Sequence, residues 1–245
     1  MSGLGKDWWR VVKALDKLSC FYDDLNSVIS LGRDKVLRRV TARNLGKIDG
    51  VVLDAGAGNG AMTKAVLLEN PNVNLVVMLD FLPEMLKKAN VEHSVCEKVI
   101  GVFEAIPIRN GSVNGVVMAF SLRDAYDMEA ALQNVRRVMK NGGKLAILEL
   151  GKPDCMFKRF LVSLYWKLIS PMLAFLKLGS KGLLAYEIYP TYTKMPENRV
   201  LIETIKVFFE NVKAEKKMLD GVLLINASAP RTVKYTRQPS VDGLS

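Results

Sequence analysis

A strand that ends in Asp-x-Gly-x-Gly-x-Gly is the most informative chemical pattern in the chain. An apolar run leads into Asp54, and glycines follow at every second position, at Gly56, Gly58 and Gly60. Because glycine has no Cβ, such a loop adopts positive φ and lets a ligand lie against the main chain and the amides of the next helix. The pattern predicts a site for a nucleotide-type cofactor.

Two cofactors fit this loop. The looser pattern Gly56-x-Gly58-x-x-Ala61 is also compatible with the pyrophosphate of NAD. The carboxylate of Asp54, directly before the first glycine, instead favours a cationic aminoacyl end such as that of S-adenosylmethionine (SAM). Asp80 ends the second apolar run, and its carboxylate suits the ribose hydroxyls of either cofactor. We predict SAM and keep NAD as the alternative.

The bulk composition places these motifs in one domain. Of the 245 residues, 49% are hydrophobic, which is enough for one substantial core. The three cysteines form no Cys-x-x-Cys pair and the only histidine is His93, so we expect neither a disulfide framework nor a metal site. The first ten residues have no pattern typical of a signal peptide. We therefore predict a cytoplasmic protein.

The net charge of +10 indicates an anionic neighbour, either nucleic acid or a phospholipid surface, unless it only serves to solvate the surface. On a helical wheel, residues 8–18 separate into an apolar face and a basic face. This is typical of a helix at a membrane surface, but we favour packing on its own domain and keep the membrane-surface helix as the alternative. Residues 156–176 are apolar almost all round, but no uncharged stretch reaches the roughly 18 to 20 residues of a spanning helix. We predict an insertion that covers the core, a hydrophobic substrate or a bilayer surface.

Apolar runs alternate with helical patterns along the chain, as in a mainly parallel sheet with helices on both faces. We predict an α/β, Rossmann-like fold with a seven-stranded sheet. The predicted strands are Val51–Ala55, Leu75–Asp80, Val99–Phe103, Gly115–Phe120, Lys144–Leu150, Val212–Met218 and Val222–Ala227. The predicted domain limits are 1–48 for an N-terminal helical cap, 49–229 for the main domain with an insertion at 152–190, and 230–245 for a loosely ordered tail.

The segment Tyr22–Gly32 resembles the Tyr-Asp-x-x-Asn and Ser-x-Gly opening of the ubiquinone/menaquinone biosynthesis C-methyltransferase family. Further matches follow in the family's order, and the resemblance covers about residues 20–228. They are Asp54–Gly60, Asp80 with Pro83–Leu86, Glu104–Pro107, Phe120–Arg123 and Arg137–Gly143. The resemblance implies a SAM-methyltransferase fold. The SAM contacts that we then expect are Asp54, Gly56, Gly58, Asn59, Asp80, Phe81, Val102, Phe103 and Ala119.

The same resemblance implies methyl transfer from SAM to a ring carbon of a polyprenylated hydroquinone. A phenolic hydroxyl has a pKa of about 10, and losing its proton makes the ortho carbon nucleophilic. We predict Arg123 as the catalytic group. A guanidinium is a poor base, so its role would be to stabilise the developing phenolate, and Arg123→Ala should reduce turnover while leaving SAM affinity nearly intact. A structural salt bridge to Asp124 or Asp127 is the alternative. Tyr22, Asn26 and Tyr192 are predicted substrate contacts.

The chain departs from the family at positions expected to meet ligands. Val102-Phe103 replaces Asp-Ala or Asn-Ala, which removes a side-chain acceptor for the adenine amino group, so Glu104 or main-chain carbonyls would serve. Arg123-Asp124 replaces Arg-Asn. These departures suggest a catalytically silent subunit as one alternative. A methyltransferase of RNA, which the net charge permits, or of another small molecule, and an NAD-linked oxidoreductase, which the glycine loop permits, are the others. The expected partner is a lipid-soluble small molecule rather than nucleic acid, with peripheral contact to the inner face of the membrane, and a homodimer is left open.

Overall fold

A seven-stranded sheet forms the centre of the computed structural model, which describes residues 3–18, 21–91 and 93–230. In chain order the strands are β1 (Gly50–Ala55), β2 (Val73–Asp80), β3 (Cys96–Ile100), β4 (Val113–Ala119), β5 (Met139–Leu150), β6 (Phe209–Lys217) and β7 (Val222–Pro230). Their spatial order is β3-β2-β1-β4-β5-β7-β6, and β7 pairs antiparallel with both of its neighbours. The Rossmann-like α/β fold predicted from the sequence is confirmed.

Helices cover both faces of the sheet. In chain order they are α1 (Trp8–Leu18), α2 (Tyr22–Ile29), α3 (Asp34–Asn44), α4 (Ala61–Glu69), α5 (Pro83–Lys88), α6 (Met128–Val138), α7 (Met156–Leu164), α8 (Ser170–Leu178), α9 (Ile188–Lys194) and α10 (Asn198–Phe208). Side chains on a strand alternate between faces, so Val52 packs with α3, α4 and α5 while Leu53 packs with α6 and α10. The sheet is therefore buried on both sides, as its near-continuous apolar strands require.

Helix α1 packs on its own domain. Trp8 and Val11 are buried, and the Trp8 ring meets Phe81 edge to face with ring centroids 4.5 Å apart. The preceding turn is tied to the domain by a hydrogen bond from the Leu4 amide to the Ala125 carbonyl, 2.9 Å long. The apolar face of α1 is thus used inside the protein, and the alternative of a membrane-surface helix is wrong for this segment.

The insertion after β5 is a folded-back helical unit. Helices α7 and α8 are joined by one π-helical turn, Tyr165–Ile169, and a 3-10 segment runs from Gly179 to Glu187 before α9. By length and composition alone, the run Met156–Lys194 would suffice to cross a membrane. However, a Cβ on Gly182 would lie 2.1 Å from the Ala174 carbonyl oxygen, so the chain reverses onto α8. The unit packs on α2 through a buried cluster.

Several predicted strand limits were wrong. The sixth strand begins at Phe209 rather than Val212, and the seventh ends at Pro230 rather than Ala227. The third strand ends at Ile100 rather than Phe103, because Val99 and Ile100 pair with the last residues of β2 and the chain then turns away. It begins at Cys96 rather than Val99. The polar residues Glu97 and Lys98, which an edge strand tolerates, interrupt the apolar pattern from which the start was predicted. The fifth strand begins at Met139 rather than Lys144, since residues 140–143 bulge out of the ladder with β4. Of the loosely ordered tail predicted at 230–245, residues 231–245 lie outside the described residues.

Candidate active site

The glycine loop lies where the strand order of the sheet reverses. Along the chain, β1 to β3 build the sheet in one direction, whereas β4 and β5 extend it in the other. Open α/β sheets bind ligands at the carboxyl ends of the strands at such a switch point. A cleft opens there with an empty volume of about 820 Å³, including its mouth. The predicted cofactor contacts that line it are Gly56, Gly58, Asn59, Asp80, Phe81, Val102, Phe103 and Ala119.

The remaining predicted contact, Asp54, lies behind the loop and is completely buried. One carboxylate oxygen accepts a 2.6 Å hydrogen bond from the Thr63 hydroxyl, and the Thr63 amide donates to the same carboxylate. The other oxygen, Oδ1, has no hydrogen-bond partner among the described residues. Burial raises the pKa of Asp54 to about 6, opposed by the Thr63 hydrogen bonds. A buried acceptor without a partner is costly, so it calls for a donor or a cation from a ligand.

Asp80 holds the glycine loop from the other side. Its carboxylate accepts hydrogen bonds from the Gly58 amide at 2.8 Å and the Leu82 amide at 2.9 Å. The Asp80 carboxylate thus occupies the Gly58 amide, which a pyrophosphate would need, and it places negative charge at the cleft. Gly58 has open space where a Cβ would stand, which leaves the main chain accessible to a ligand. These residues fit the cationic sulfonium and ammonium of SAM better than they fit a dinucleotide.

Helix α1 forms part of the wall of the cleft. Trp8, Val11, Val12 and Leu15 line it from the N-terminal side. Ion pairs hold the helix and its preceding turn in place, one between Arg10 and Glu187 at 3.1 Å and another between the turn and α9. None of these side chains was predicted to belong to the site. Their amphipathic pattern was visible, but the pattern does not say which surface the apolar face covers.

The predicted catalytic residue, Arg123, is buried in the 3-10 turn Leu122–Asp124 after β4. Its Nη1 donates to Glu149 Oε1 at 3.0 Å and to the Phe120 carbonyl. Its Nε lies 3.6 Å from Asp124 Oδ1, within ion-pair range but without a hydrogen-bond partner among the described residues. The salt bridge to Asp124 considered from the sequence is therefore present. Asp127 instead caps α6, where it accepts from the Glu129 and Ala130 amides.

Glu149 is another site residue that the sequence did not reveal. It is completely buried near the end of β5, inside an apolar strand. Besides the Arg123 side chain, its carboxylate accepts from the Arg123 amide at 3.1 Å and from the Leu150 amide at 2.8 Å. The available signal was a carboxylate in a strand predicted to be covered on both faces, which requires a buried counter-charge.

Phe120 separates the cleft from a second cavity. It has a φ of +58°, a strained conformation for a bulky residue that often marks a functional site. The Arg38 guanidinium lies over its ring, 5.4 Å from the centroid. Phe120 lines both cavities, so it forms part of the wall between them.

The second cavity is apolar and has an empty volume of about 1500 Å³, including its mouth. Most of its wall consists of apolar and aromatic side chains, and its few polar side chains include Arg123 and the predicted substrate contact Asn26. The Asn26 side chain is hydrogen-bonded to Tyr22, which lines the cofactor cleft. The structure thus brings Tyr22, Asn26 and Arg123 to the boundary between the two cavities.

Two other predicted positions lie elsewhere or have other partners. Tyr192 is buried beneath the insertion, where its hydroxyl lies 3.5 Å from the Ser163 hydroxyl, and it lines neither cavity. Glu104, considered as an acceptor for adenine, lines the cleft, but its Oε1 accepts from the Asp127 amide at 3.0 Å. Burial raises the pKa of Glu104.

Together, the fold, the switch-point cleft and its buried carboxylates define a SAM-dependent methyltransferase. A solved SAM-dependent methyltransferase from Aquifex aeolicus shares this fold, with a TM-score of 0.56, 14% identity, and coverage of 84% of this chain and 97% of that one.

A sequence profile of the ubiE/COQ5 methyltransferase family matches residues 4–221, and the chain belongs to this family. A ubiquinone/menaquinone biosynthesis C-methyltransferase from Citrifermentans bemidjiense is 27% identical, covering 85% of this chain and 88% of that protein. A demethylmenaquinone methyltransferase from Clavibacter sepedonicus is 30% identical over 75% of each chain. The resemblance seen in the motifs is confirmed, SAM is the cofactor, and the NAD-linked alternative is wrong.

Proposed function

We propose that this methyltransferase transfers the methyl group of SAM to a ring carbon of a lipid-soluble quinol. The observation that carries the proposal is the large apolar cavity that adjoins the cofactor cleft at Phe120 and is also lined by Arg123. An apolar cavity of this size suits a prenylated ring and disfavours a polar substrate such as RNA. The names of the relatives, which refer to quinone biosynthesis and demethylmenaquinone, point to the same class of substrate.

The chemistry asks the protein to stabilise a phenolate. SAM, when bound, supplies an electrophilic methyl group on a positively charged sulfur. Arg123 offers a fixed positive charge beside the apolar cavity, and Glu149 holds its guanidinium through a 3.0 Å hydrogen bond. A charge held in advance in a site that excludes water stabilises a developing anion without reorganisation. The cavity walls would orient the ring for attack in line with the methyl group.

The test is a product analysis with purified protein and SAM labelled in its methyl group. Reduced prenylated hydroquinones that lack one ring methyl, a membrane lipid extract and RNA are supplied together, and labelled products are identified by mass spectrometry. We expect the label in the quinol fraction. Label in RNA, or in a polar small molecule, would overturn the proposal.

A variant series tests the role of Arg123. Because Arg123→Ala would leave Glu149 buried without its counter-charge, Arg123→Lys is the better substitution, since it keeps the charge and loses the planar donor geometry. We expect at least a tenfold loss of turnover with SAM affinity unchanged, measured by calorimetry. Arg109→Lys, at an exposed position, is the matched control. Equal loss of turnover and SAM affinity in Arg123→Lys would contradict the assignment.

We also propose that the insertion docks on an anionic membrane surface, so that the substrate enters from the bilayer. Large exposed apolar side chains are concentrated there, namely Met156, Phe157, Phe160, Leu168, Met172, Phe175 and Leu176. Residues 155–186 contain five Lys or Arg and no Asp or Glu. Exposed apolar side chains also line the apolar cavity, at Leu31, Ile169 and Leu219, so its mouth is itself apolar. Apolar contact combined with positive charge is typical of peripheral binding to anionic lipid.

Vesicle sedimentation tests this contact. The protein should sediment with phosphatidylglycerol vesicles and much less with phosphatidylcholine vesicles. Phe157→Ser with Phe160→Ser should reduce binding by tenfold or more, because two buried aromatic side chains contribute several kcal/mol. Leu68→Ser with Val207→Ser, exposed apolar positions outside the insertion, is the control pair. Binding that is equal for both pairs, or absent altogether, would contradict the docking surface.

A further inference from the structure

Asp124 faces the cofactor cleft, whereas its neighbour Arg123 faces the apolar cavity. Both belong to the 3-10 turn after β4, and the Asp124 side chain keeps 16% of its surface exposed. The turn therefore presents a carboxylate and a guanidinium on the two sides of the boundary where the reacting groups must meet. Where the family pattern has Asn, this chain has a group that can exchange a proton.

The hydrogen bonds divide the roles of the two nearby carboxylates. Glu149 accepts from the Arg123 side chain, the Arg123 amide and the Leu150 amide, and is completely buried. Asp124 approaches Arg123 Nε only at 3.6 Å, and its side chain receives no hydrogen bond within the part of the chain that the structure describes. Both carboxylates therefore compensate the guanidinium, but only Glu149 is hydrogen-bonded to it, so the Asp124 carboxylate remains open to the cleft.

Burial, together with the surrounding charges, brings the pKa of Asp124 close to neutral pH. Burial raises the pKa of Asp124 to about 7, the Arg123 guanidinium opposes this, and the negative charges of Glu149 and Asp80 add to it. The Tyr22 hydroxyl also faces this cluster, and burial raises its pKa further above its usual range. A general base works best when its pKa lies close to the operating pH.

We propose that Asp124 is the general base that takes the proton from the acceptor hydroxyl next to the methylated carbon. This rests on the proposed function. The O–H bond breaks, the proton moves to the Asp124 carboxylate, and the electron pair left on oxygen makes the ortho carbon nucleophilic beside Arg123. That carbon bonds to the methyl group, and the pair of the broken S–CH₃ bond stays on sulfur. The ring proton then leaves to water and the proton on Asp124 returns to the oxygen, so one proton is released per methyl group.

The test compares the Asp124→Asn variant with wild type in two measurements. In wild type, kcat for the quinol should rise with pH through about 7, as Asp124 loses its proton. In the variant, kcat at pH 7 should fall about 100-fold, which is the size expected for loss of a general base. The increase of kcat with pH should shift toward the pKa of the free phenolic hydroxyl, about 10. Carboxyl ¹³C NMR of the protein without substrate should show a carboxyl that titrates near pH 7 in wild type and is absent from the variant.

Asp127→Asn is the matched control, because it changes a carboxylate in the same loop that acts as a helix cap. It should leave the pH profile and the NMR titration near pH 7 unchanged. If wild type methylates quinols and Asp124→Asn keeps the same pH profile and kcat, the general-base assignment is wrong while the proposed function stands. If wild type methylates no quinol, the proposed function itself fails, and the base assignment fails with it.

Discussion

Replacing Glu149 by Gln should destabilise the protein far more than its small change in shape suggests. Glu149 is completely buried, and the Arg123 side chain that it neutralises is only 7% exposed. The Glu149 carboxylate accepts three hydrogen bonds, all from N–H groups. A Gln side chain would place its own N–H donor opposite at least one of these groups, and that hydrogen bond would be lost. Removing one partner of such a pair leaves a buried charge uncompensated and typically costs about 3 to 5 kcal/mol.

Asp124 places the expected value at the lower end of that range. Its carboxyl remains 3.6 Å from Arg123 Nε and would take over part of the compensation. We therefore expect the free energy of unfolding to fall by about 3 kcal/mol, a large fraction of the usual total of about 5 to 15 kcal/mol. Loss of the Glu149 charge should also lower the pKa of Asp124, because that charge helps to raise it. The pH dependence of kcat should then shift to lower pH.

Urea unfolding at pH 7, followed by circular dichroism, measures the loss of stability. Glu203→Gln is the control, since Glu203 pairs with Lys206 at 2.8 Å but is 62% exposed, and such pairs contribute at most about 1 kcal/mol. The double variant Arg123→Met, Glu149→Leu removes both charges and should recover much of the loss, although it would be inactive. The reasoning would be refuted if the Glu149 and Glu203 substitutions lowered the free energy of unfolding equally, or if the double variant were less stable than Glu149→Gln.

Further predictions concern the cofactor cleft. Gly56→Ala should lower the free energy of unfolding by well over 1 kcal/mol and weaken SAM binding in calorimetry, because φ is +80° and the new Cβ would lie 2.3 Å from Ser121 Cβ. The control is Gly111→Ala, where φ is +59° and the space around the glycine is open. It should lower the stability less and leave SAM binding intact. Asp80→Asn should raise the SAM Kd at least tenfold, since either the Gly58 amide of the glycine loop or the Leu82 amide loses its acceptor. The raised pKa of Asp54 means that the folded state binds the proton more tightly, so this residue's contribution to stability decreases as pH rises from about 4 to 6. At pH 7 the free energy of unfolding of Asp54→Asn, measured with urea, should therefore exceed that of wild type by up to about 3 kcal/mol, and at pH 4 the two should be equal. A difference that stays constant between pH 4 and pH 7 would contradict the raised pKa of Asp54.

Local sequence patterns were sufficient for the fold class and the cofactor. Alternating apolar runs and helical patterns gave the parallel sheet, because strands buried on both faces leave little room for polar residues. The glycines and Asp54 gave the cofactor loop, since few other residues permit that backbone and that charge so close together. The limits of β3 and β5 were missed, because an edge strand and a bulge do not follow the apolar pattern.

The apolar insertion shows a limit of composition. Its sequence allowed a cover for the core, for a substrate or for a bilayer, and the structure finds it contributing Val162, Trp166 and Ala174 to a buried cluster while other apolar side chains stay exposed. Composition counts apolar residues, but it does not say which of them meet a neighbour. The same limit applied to α1, whose apolar face turned out to line the cofactor cleft.

What the sequence by itself determined is therefore the order of strands and helices and the chemistry of the loop after β1, since both depend on residues that are close along the chain. Only the tertiary structure decided which charges share the site. Glu149 and Arg123 are 26 positions apart, and the pair exists because β4 and β5 lie side by side and end at the same edge of the sheet. Burial in that shared environment, which no local pattern encodes, also raises the pKa of Asp124.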